Sequence, residues 1–210
     1  MRVVQGWSVV VPAKRLALAK TRLGPVGDRR ADHEDLVLAL LGDTLEAALA
    51  SPAVGVLWVV TDEPRAAGLA RALGARVVPD APAAGLNAAL AHGAAVAGGA
   101  PVAALHSDLP ALRPAELTGA LLAAAGHERS SVTDAEGTGT TLLAVTRGEL
   151  RPAFGAGSAT AHAAGGAVPL AGDWPGLRRD VDTVAHLAVA RALGTGPRTA
   201  VARAGPDACA

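Results

Sequence analysis

Four short apolar runs rich in β-branched residues, WSVVVPA (7–13), VGVLWVVTD (54–62), ARVVPD (75–80) and PVAALHS (101–107), are each followed by a stretch of helical character. HEDLVLALLGDTLEAALA (33–50) repeats apolar residues at helical spacing, PRAAGLARALG (64–74) opens on proline and stops at glycine, and RPAELTGALLAAAG (113–126) repeats that punctuation. These stretches read as crossover helices. Strand and helix in strict alternation predict an α/β fold, a Rossmann-like and mostly parallel sheet with helices on both faces, whose ligands bind beyond the carboxyl ends of the strands. With 50% hydrophobic but only 2% aromatic residues, the core must be built from Ala, Val and Leu.

After residue 127 the rhythm changes. SSVTD and TTLLAVT are separated by the glycine-bearing AEGTG, too short for a full crossover, which predicts an antiparallel excursion. A short helix near SATAHAAGG, a strand near AVPL and a last helix from about Thr183 to Leu193 follow. No repeat and no long linker divides the chain, so residues 1–195 are expected to form a single domain. GTGPRTAVARAGPDACA reads as a tail, with 196–210 expected to be flexible.

A net charge of zero over 210 residues gives no basic field of the kind that binds a nucleic-acid backbone. The lone Cys209 can build neither a disulfide framework nor a thiolate metal site, which suits a reducing cytoplasm. The apolar run after Arg2 is broken by Pro12 and Lys14 before it reaches the length of an export signal or a membrane span, so no membrane association is expected. Nothing in the pattern selects an oligomeric state.

The chemistry-bearing residues cluster at predicted strand ends. Asp108, in ALHSDLPAL, stands at the carboxyl end of the fourth strand, where a carboxylate can either hold Mg²⁺ beside substrate phosphates or start the turn before Pro110. His106 reads as a strand residue. Asp180 and Asp182 in LRRDVDT would point to one side of an extended segment and form a second metal cradle, with Asp182 or Thr183 also suited to cap the last helix. GTGTT (137–141) and FGAGSATAH (154–162) can bring backbone and hydroxyl donors close to an anion, yet they also read as turns. Asn87, at the start of a helix in AGLNAALAHG, suits either a base or ribose contact or a cap. After the first strand come Lys14, Arg15, Lys20 and Arg22 in place of a glycine-rich phosphate loop. Such a run is commonly a solvated face, but a loop after strand one lies near the strand carrying Asp108 in a doubly wound sheet.

In this order, PAKRLALAKTRL, PD..AGLNAAL, SDLPAL, GTGTTLL, FGAGSATAHAAGG and LRRDVDT resemble the motifs of the phosphoenolpyruvate and 2-phospholactate guanylyltransferases over roughly residues 7–193. That family is related to the molybdenum-cofactor nucleotidyltransferases and has the nucleotidyltransferase, glycosyltransferase-A-like type of Rossmann-like sheet. The resemblance implies an enzyme that joins the GMP moiety of GTP to phosphoenolpyruvate and releases pyrophosphate, in the biosynthesis of a deazaflavin coenzyme. It implies that Asp108, Asp180 and Asp182 hold Mg²⁺, that Thr140, Gly155 and Ser158 contact the phosphorylated acid, and that Lys14, Arg15, Lys20 and Arg22 surround the GTP phosphates. Ala13 and the SDLP form of the aspartate motif depart slightly from the family pattern, and no residue declares itself as a reader of guanine.

Overall fold

The computed structural model of the chain describes residues 6–16, 30–81 and 83–202, residues 30 and 31 by backbone alone. Its elements run β1 (Trp7–Pro12), α1 (Arg30–Leu49), β2 (Val54–Val60), α2 (Pro64–Leu73), β3 (Arg76–Val78), α3 (Leu86–Val96), β4 (Val102–Leu105), α4 (Pro114–Ala124), β5 (Arg129–Thr133), β6 (Thr140–Val145), α5 (Ser158–Ala164), β7 (Val168–Pro169), α6 (Pro175–Arg178), α7 (Val184–Leu193) and α8 (Pro197–Val201). The predicted strand–helix alternation holds through α4. The punctuation works as the sequence predicts: Pro64 opens α2 behind the capping carboxylate of Glu63, and Gly74, at φ 98°, ends it in the left-handed conformation.

The seven strands form one sheet in the order β3-β2-β1-β4-β6-β5-β7. β1 pairs in parallel with β2 on one side and with β4 on the other, so the sheet reverses its winding between β1 and β4. That reversal opens a crevice at the carboxyl ends of these two strands, where a doubly wound sheet binds its ligand. β6 runs antiparallel to both β4 and β5, the excursion predicted from the SSVTD and TTLLAVT runs.

Alternation along the strands sends neighbouring residues to opposite faces, and both faces are covered. Val9, Val11, Leu57, Val59 and Leu142 pack with Leu41, Leu45, Leu117 and Leu121 of α1 and α4, while Val10, Val60, Ala104 and Leu143 pack with Ala89, Leu90 and Ala94 of α3. A third cluster, Leu36, Leu40, Ala111, Val181, Leu187 and Ala190, seals α7 and the segment before it against α1. No helix among the described residues is long and apolar enough to cross a membrane.

The expectation of a flexible tail from residue 196 fails for its first part. Residues 197–201 form α8, and the buried carboxylate of Asp43 in α1 accepts hydrogen bonds from the Arg198 and Thr199 N–H groups at 3.0 and 2.8 Å. An anion at a helix start meets otherwise orphaned N–H groups and the positive end of the backbone dipoles. Arg198 adds an ion pair to Glu46 at 2.8 Å. Residues 203–210 lie outside the described residues. Replacing Asp43 by Ala is expected to leave one buried and one half-buried donor unmatched, lower the unfolding free energy by about 2 kcal/mol, and speed amide exchange over residues 198–201, both readable in one hydrogen-exchange experiment.

Candidate functional site

Asp108 leaves the sheet at the crevice. The chain exits β4 after Leu105, the His106 N–H donates to the Thr141 carbonyl at 3.0 Å, and the Leu109 N–H donates to the Thr44 hydroxyl at 2.9 Å. That hydroxyl donates in turn to the Leu40 carbonyl at 2.8 Å. The backbone on both sides of Asp108 is therefore fixed, and the residue is buried.

Asp180 arrives from the far end of the sequence. The Glu116 carboxylate accepts from the N–H groups of Gly176 and Leu177 at 3.1 and 2.9 Å and so fixes α6. Residue 176 has to be glycine for this, because a Cβ there would run into the Ala111 carbonyl oxygen and the Glu116 carboxylate. Arg178 donates to the Thr133 carbonyl at 3.1 Å and to the Leu170 carbonyl at 3.2 Å, and Arg179 pairs with Glu136 at 2.6 Å. Burial works to raise the Glu136 pKa, but the Arg179 guanidinium outweighs it and holds the carboxyl below its ordinary range. The two arginines of LRRDVDT thus fasten the segment to the β5–β6 hairpin. The Val181 N–H then donates to the Asp108 carbonyl at 3.1 Å, with the Val181 side chain buried.

The result is a compact donor group: a ring nitrogen of His106 and one carboxylate oxygen each of Asp108 and Asp180 lie within 4.8 Å of one another. His106 Nδ1 is 3.7 Å from Asp108 Oδ1. Donors about 2.1 Å from one octahedral ion stand roughly 3 to 4 Å apart, so this set fits a divalent cation with little adjustment. His106, read from sequence as a strand residue, is a correction: it is the first residue past β4, and the H-S-D spacing turns its ring and Asp108 toward each other. Asp182 lies outside that compact group. Its half-buried backbone N–H donates to His186 Nδ1 at 3.4 Å, and the helix cap falls to Thr183, whose hydroxyl accepts from the His186 N–H at 3.2 Å.

A second wall comes from β6 and the loop before α5. The Asp134 carboxylate accepts from the Thr138 and Gly139 N–H groups at 2.9 and 2.8 Å and shapes the turn that delivers Thr140. Gly155 and Gly157, at φ 143° and 71°, turn the chain into α5, whose first residue is the buried Ser158. Asn87 is not the cap of its helix: its amide donates to the Phe154 carbonyl at 3.0 Å and accepts from the Phe154 N–H at 2.8 Å, clamping the FGAGS loop to α3. The cap position of α3 is Gly85. The Phe154 ring, held by that clamp, packs between His106 and His162, with ring centroids 5.2 and 4.9 Å away. Both of these histidines were silent in sequence, where a lone His in an apolar context carries no signal of its own.

Lys14 and Arg15 are exposed immediately after β1, on the same edge as Asp108, and the Leu16 N–H is held by the Glu63 carboxylate at 3.3 Å. Lys20 and Arg22 lie outside the described residues. Carboxylates and an imidazole able to hold a cation, side-chain cations across the crevice, and a small-residue wall together suit a phosphorylated ligand.

Residues 7–165 match the family model described as guanylyl transferase CofC like. The chain belongs to this family. It is 61% identical over 204 residues to the phosphoenolpyruvate guanylyltransferase of Geodermatophilus obscurus, covering 95% of each chain, and 57% identical over 201 residues to that of Salinispora arenicola, covering 94% of this chain and 93% of the other. Among solved structures it resembles a nucleotide-diphospho-sugar transferase from Desulfovibrio desulfuricans, with TM-score 0.64, 20% identity and coverage of 87% and 84%. It also resembles a Mycobacterium tuberculosis protein solved with manganese, with TM-score 0.52, 23% identity and coverage of 89% and 97%. At these identities the structures carry the fold, a mixed, mostly parallel sheet of the glycosyltransferase-A-like type. As a CofC-like guanylyl transferase the chain is a nucleotidyltransferase.

Burial first, then the charges of Arg129 and His106, push the His162 pKa from 6.5 down to about 4. In the window between those values the unfolded chain binds the proton and the folded one does not. The stabilisation from this ring is therefore complete above pH 6.5 and lost as the pH falls toward 4. Thermal melts from pH 7 to pH 4 are expected to fall more steeply for the native protein than for His162→Gln, which has no such group to titrate.

Proposed function

We propose that this chain transfers the GMP moiety of GTP to phosphoenolpyruvate. A phosphate oxygen of the acid attacks the α-phosphorus, forming the new phosphorus–oxygen bond as the bond to the β-phosphate bridging oxygen breaks, and pyrophosphate leaves with that electron pair. The product is enolpyruvoyl-2-diphospho-5′-guanosine, a precursor for a deazaflavin coenzyme. The observation that carries the reading is the His106, Asp108 and Asp180 group at the β1–β4 reversal, in a chain of the guanylyl transferase family.

The nucleophile is already anionic at neutral pH, so no residue has to remove a proton, and the protein's task is alignment and charge neutralisation. Lys14, Arg15, Lys20 and Arg22 surround the triphosphate and neutralise the departing pyrophosphate. Asp108 and Asp180 would hold Mg²⁺, Asp182 of the same segment would add a further carboxylate, and His106 would join or orient that set. Bound there, Mg²⁺ supplies positive charge to phosphate oxygens and so favours the in-line displacement. Thr140, Gly155 and Ser158 seat the acid against this group. A site of this kind, with GTP as substrate and a lone Cys209, suits the cytoplasm.

Asp108→Asn and Asp180→Asn are each expected to lower kcat by a factor on the order of 10² or more at saturating Mg²⁺, as removal of a charged ligand weakens transition-state neutralisation. Pyrophosphate release, followed beside a thermal melt, separates that loss from unfolding; near-native kcat in both would refute the assignment. For the acceptor, one vessel containing GTP, Mg²⁺, phosphoenolpyruvate and 2-phospholactate is expected to consume phosphoenolpyruvate with at least about tenfold higher kcat/KM, equivalent to ~1.4 kcal/mol of alignment for the planar acid. Equal use of both acids would overturn the acceptor while leaving the guanylyl transfer intact.

A further inference from the structure

We propose that His162 is a positioning residue that makes the Thr140 hydroxyl a donor toward the acid. This rests on the reading above that Thr140 lies against that substrate. The Ala153 backbone N–H meets His162 Nε2 at 2.9 Å, and a backbone N–H can only donate. Nε2 is therefore the bare nitrogen, and the neutral ring carries its hydrogen on Nδ1. Nδ1 lies 2.9 Å from Thr140 Oγ1, so the hydroxyl oxygen accepts that hydrogen.

The consequence falls on the other end of the hydroxyl. A free threonine hydroxyl rotates and serves as donor or acceptor as needed. Here one lone pair is committed to His162, and among the described residues no acceptor takes the Thr140 hydroxyl hydrogen. Thr140 is 1% exposed, so bulk water competes little for that hydrogen. A buried donor without an acceptor is costly; a ligand oxygen relieves that cost, an ionised phosphate or carboxylate oxygen most strongly, whereas a group that only donates, such as an N–H, does not. The ring itself cannot turn freely: His162 is 2% exposed, and its edge-to-face contact with Phe154, at 72°, is fixed by the Asn87 clamp on the Phe154 backbone. The device thus favours ligands that present an acceptor oxygen at Thr140, an anionic one above all, without placing a cation there.

Two substitutions divide the two hydrogen bonds. The amide of Asn reaches the position of Nδ1 and can still donate to Thr140, whereas the amide of Gln reaches the position of Nε2 and keeps only the Ala153 bond. With GTP, Mg²⁺ and phosphoenolpyruvate as substrates, His162→Gln and Thr140→Val are each expected to raise KM for phosphoenolpyruvate about tenfold, the loss of one hydrogen bond to a charged group, while KM for GTP stays within about twofold. His162→Asn is expected to stay within about threefold of the native KM for the acid. KM does not depend on the fraction of folded enzyme, so a destabilised variant still reports. If His162→Asn and His162→Gln are equally impaired, or if Thr140→Val raises the KM and His162→Gln does not, the positioning role is wrong. If Thr140→Val leaves the KM for the acid unchanged, the placement of the acid at Thr140 fails instead. Ring ¹⁵N shifts of the native protein at pH 7 decide the tautomer independently of any substrate: hydrogen on Nδ1 is expected, and hydrogen on Nε2 would overturn the proposal.

Discussion

The hydrogen bond from the Val181 N–H to the Asp108 carbonyl, at 3.1 Å, makes one site out of two distant segments. Two carboxylates brought within 4.8 Å of each other and of a ring nitrogen repel, and only a stiff surround keeps them there. Val181 is buried on the other side of its strand-like segment, so the segment cannot slide by one residue without moving a valine out of the core and an aspartate into it. Glu116, Arg178 and Arg179 fix the approach, and Thr44 fixes the residue after Asp108. These contacts reach α1, α4 and the β5–β6 hairpin, so the position of Asp180 depends on most of the fold.

The antiparallel strand has a related purpose. In a wholly parallel sheet, only carboxyl ends of strands reach the ligand edge. Because β6 runs against β4, pairing Leu142 with Leu105, its starting residue Thr140 reaches that edge too. The turn before it, shaped by Asp134, and the loop after β6, held by Asn87, then close around the same place from the side opposite β1. One reversed strand is enough to give the ligand edge of the sheet a second wall.

The strands and crossover helices were legible because each has a local signature: β-branched runs, proline at helix starts, glycine at helix ends. Asp108 was legible for the same reason, as a polar residue directly after a buried strand. What escaped depends on partners far away in sequence. α8 read as a tail because its anchor, Asp43, is 155 residues away and looks like any acid on a helix. Asn87 read as a cap or a base contact because nothing near it announces a clamp on Phe154. His106 has an apolar neighbourhood on the strand side, and only the approach of Asp180 gives it a chemical context. His162 needed the Ala153 N–H and the Thr140 hydroxyl, one on each ring nitrogen, before its hydrogen could be placed.

In the proposed reaction the two substrates would meet different kinds of recognition. Around the triphosphate the cations would come from side chains, the exposed Lys14 and Arg15 among them, whose long stems adapt to a flexible polyanion. Around the small acid the groups would be short and buried, and the direction of the Thr140 hydroxyl would be set in advance by a histidine that stays neutral near pH 7. A small rigid anion offers little binding energy, so its alignment with the α-phosphorus has to be built into the protein before it arrives. The nucleotide, with many more contacts to offer, can be gathered by long charged side chains. A rigid wall on β6 and α5 and adaptable cations after β1 would assign each demand to the part of the sheet able to meet it.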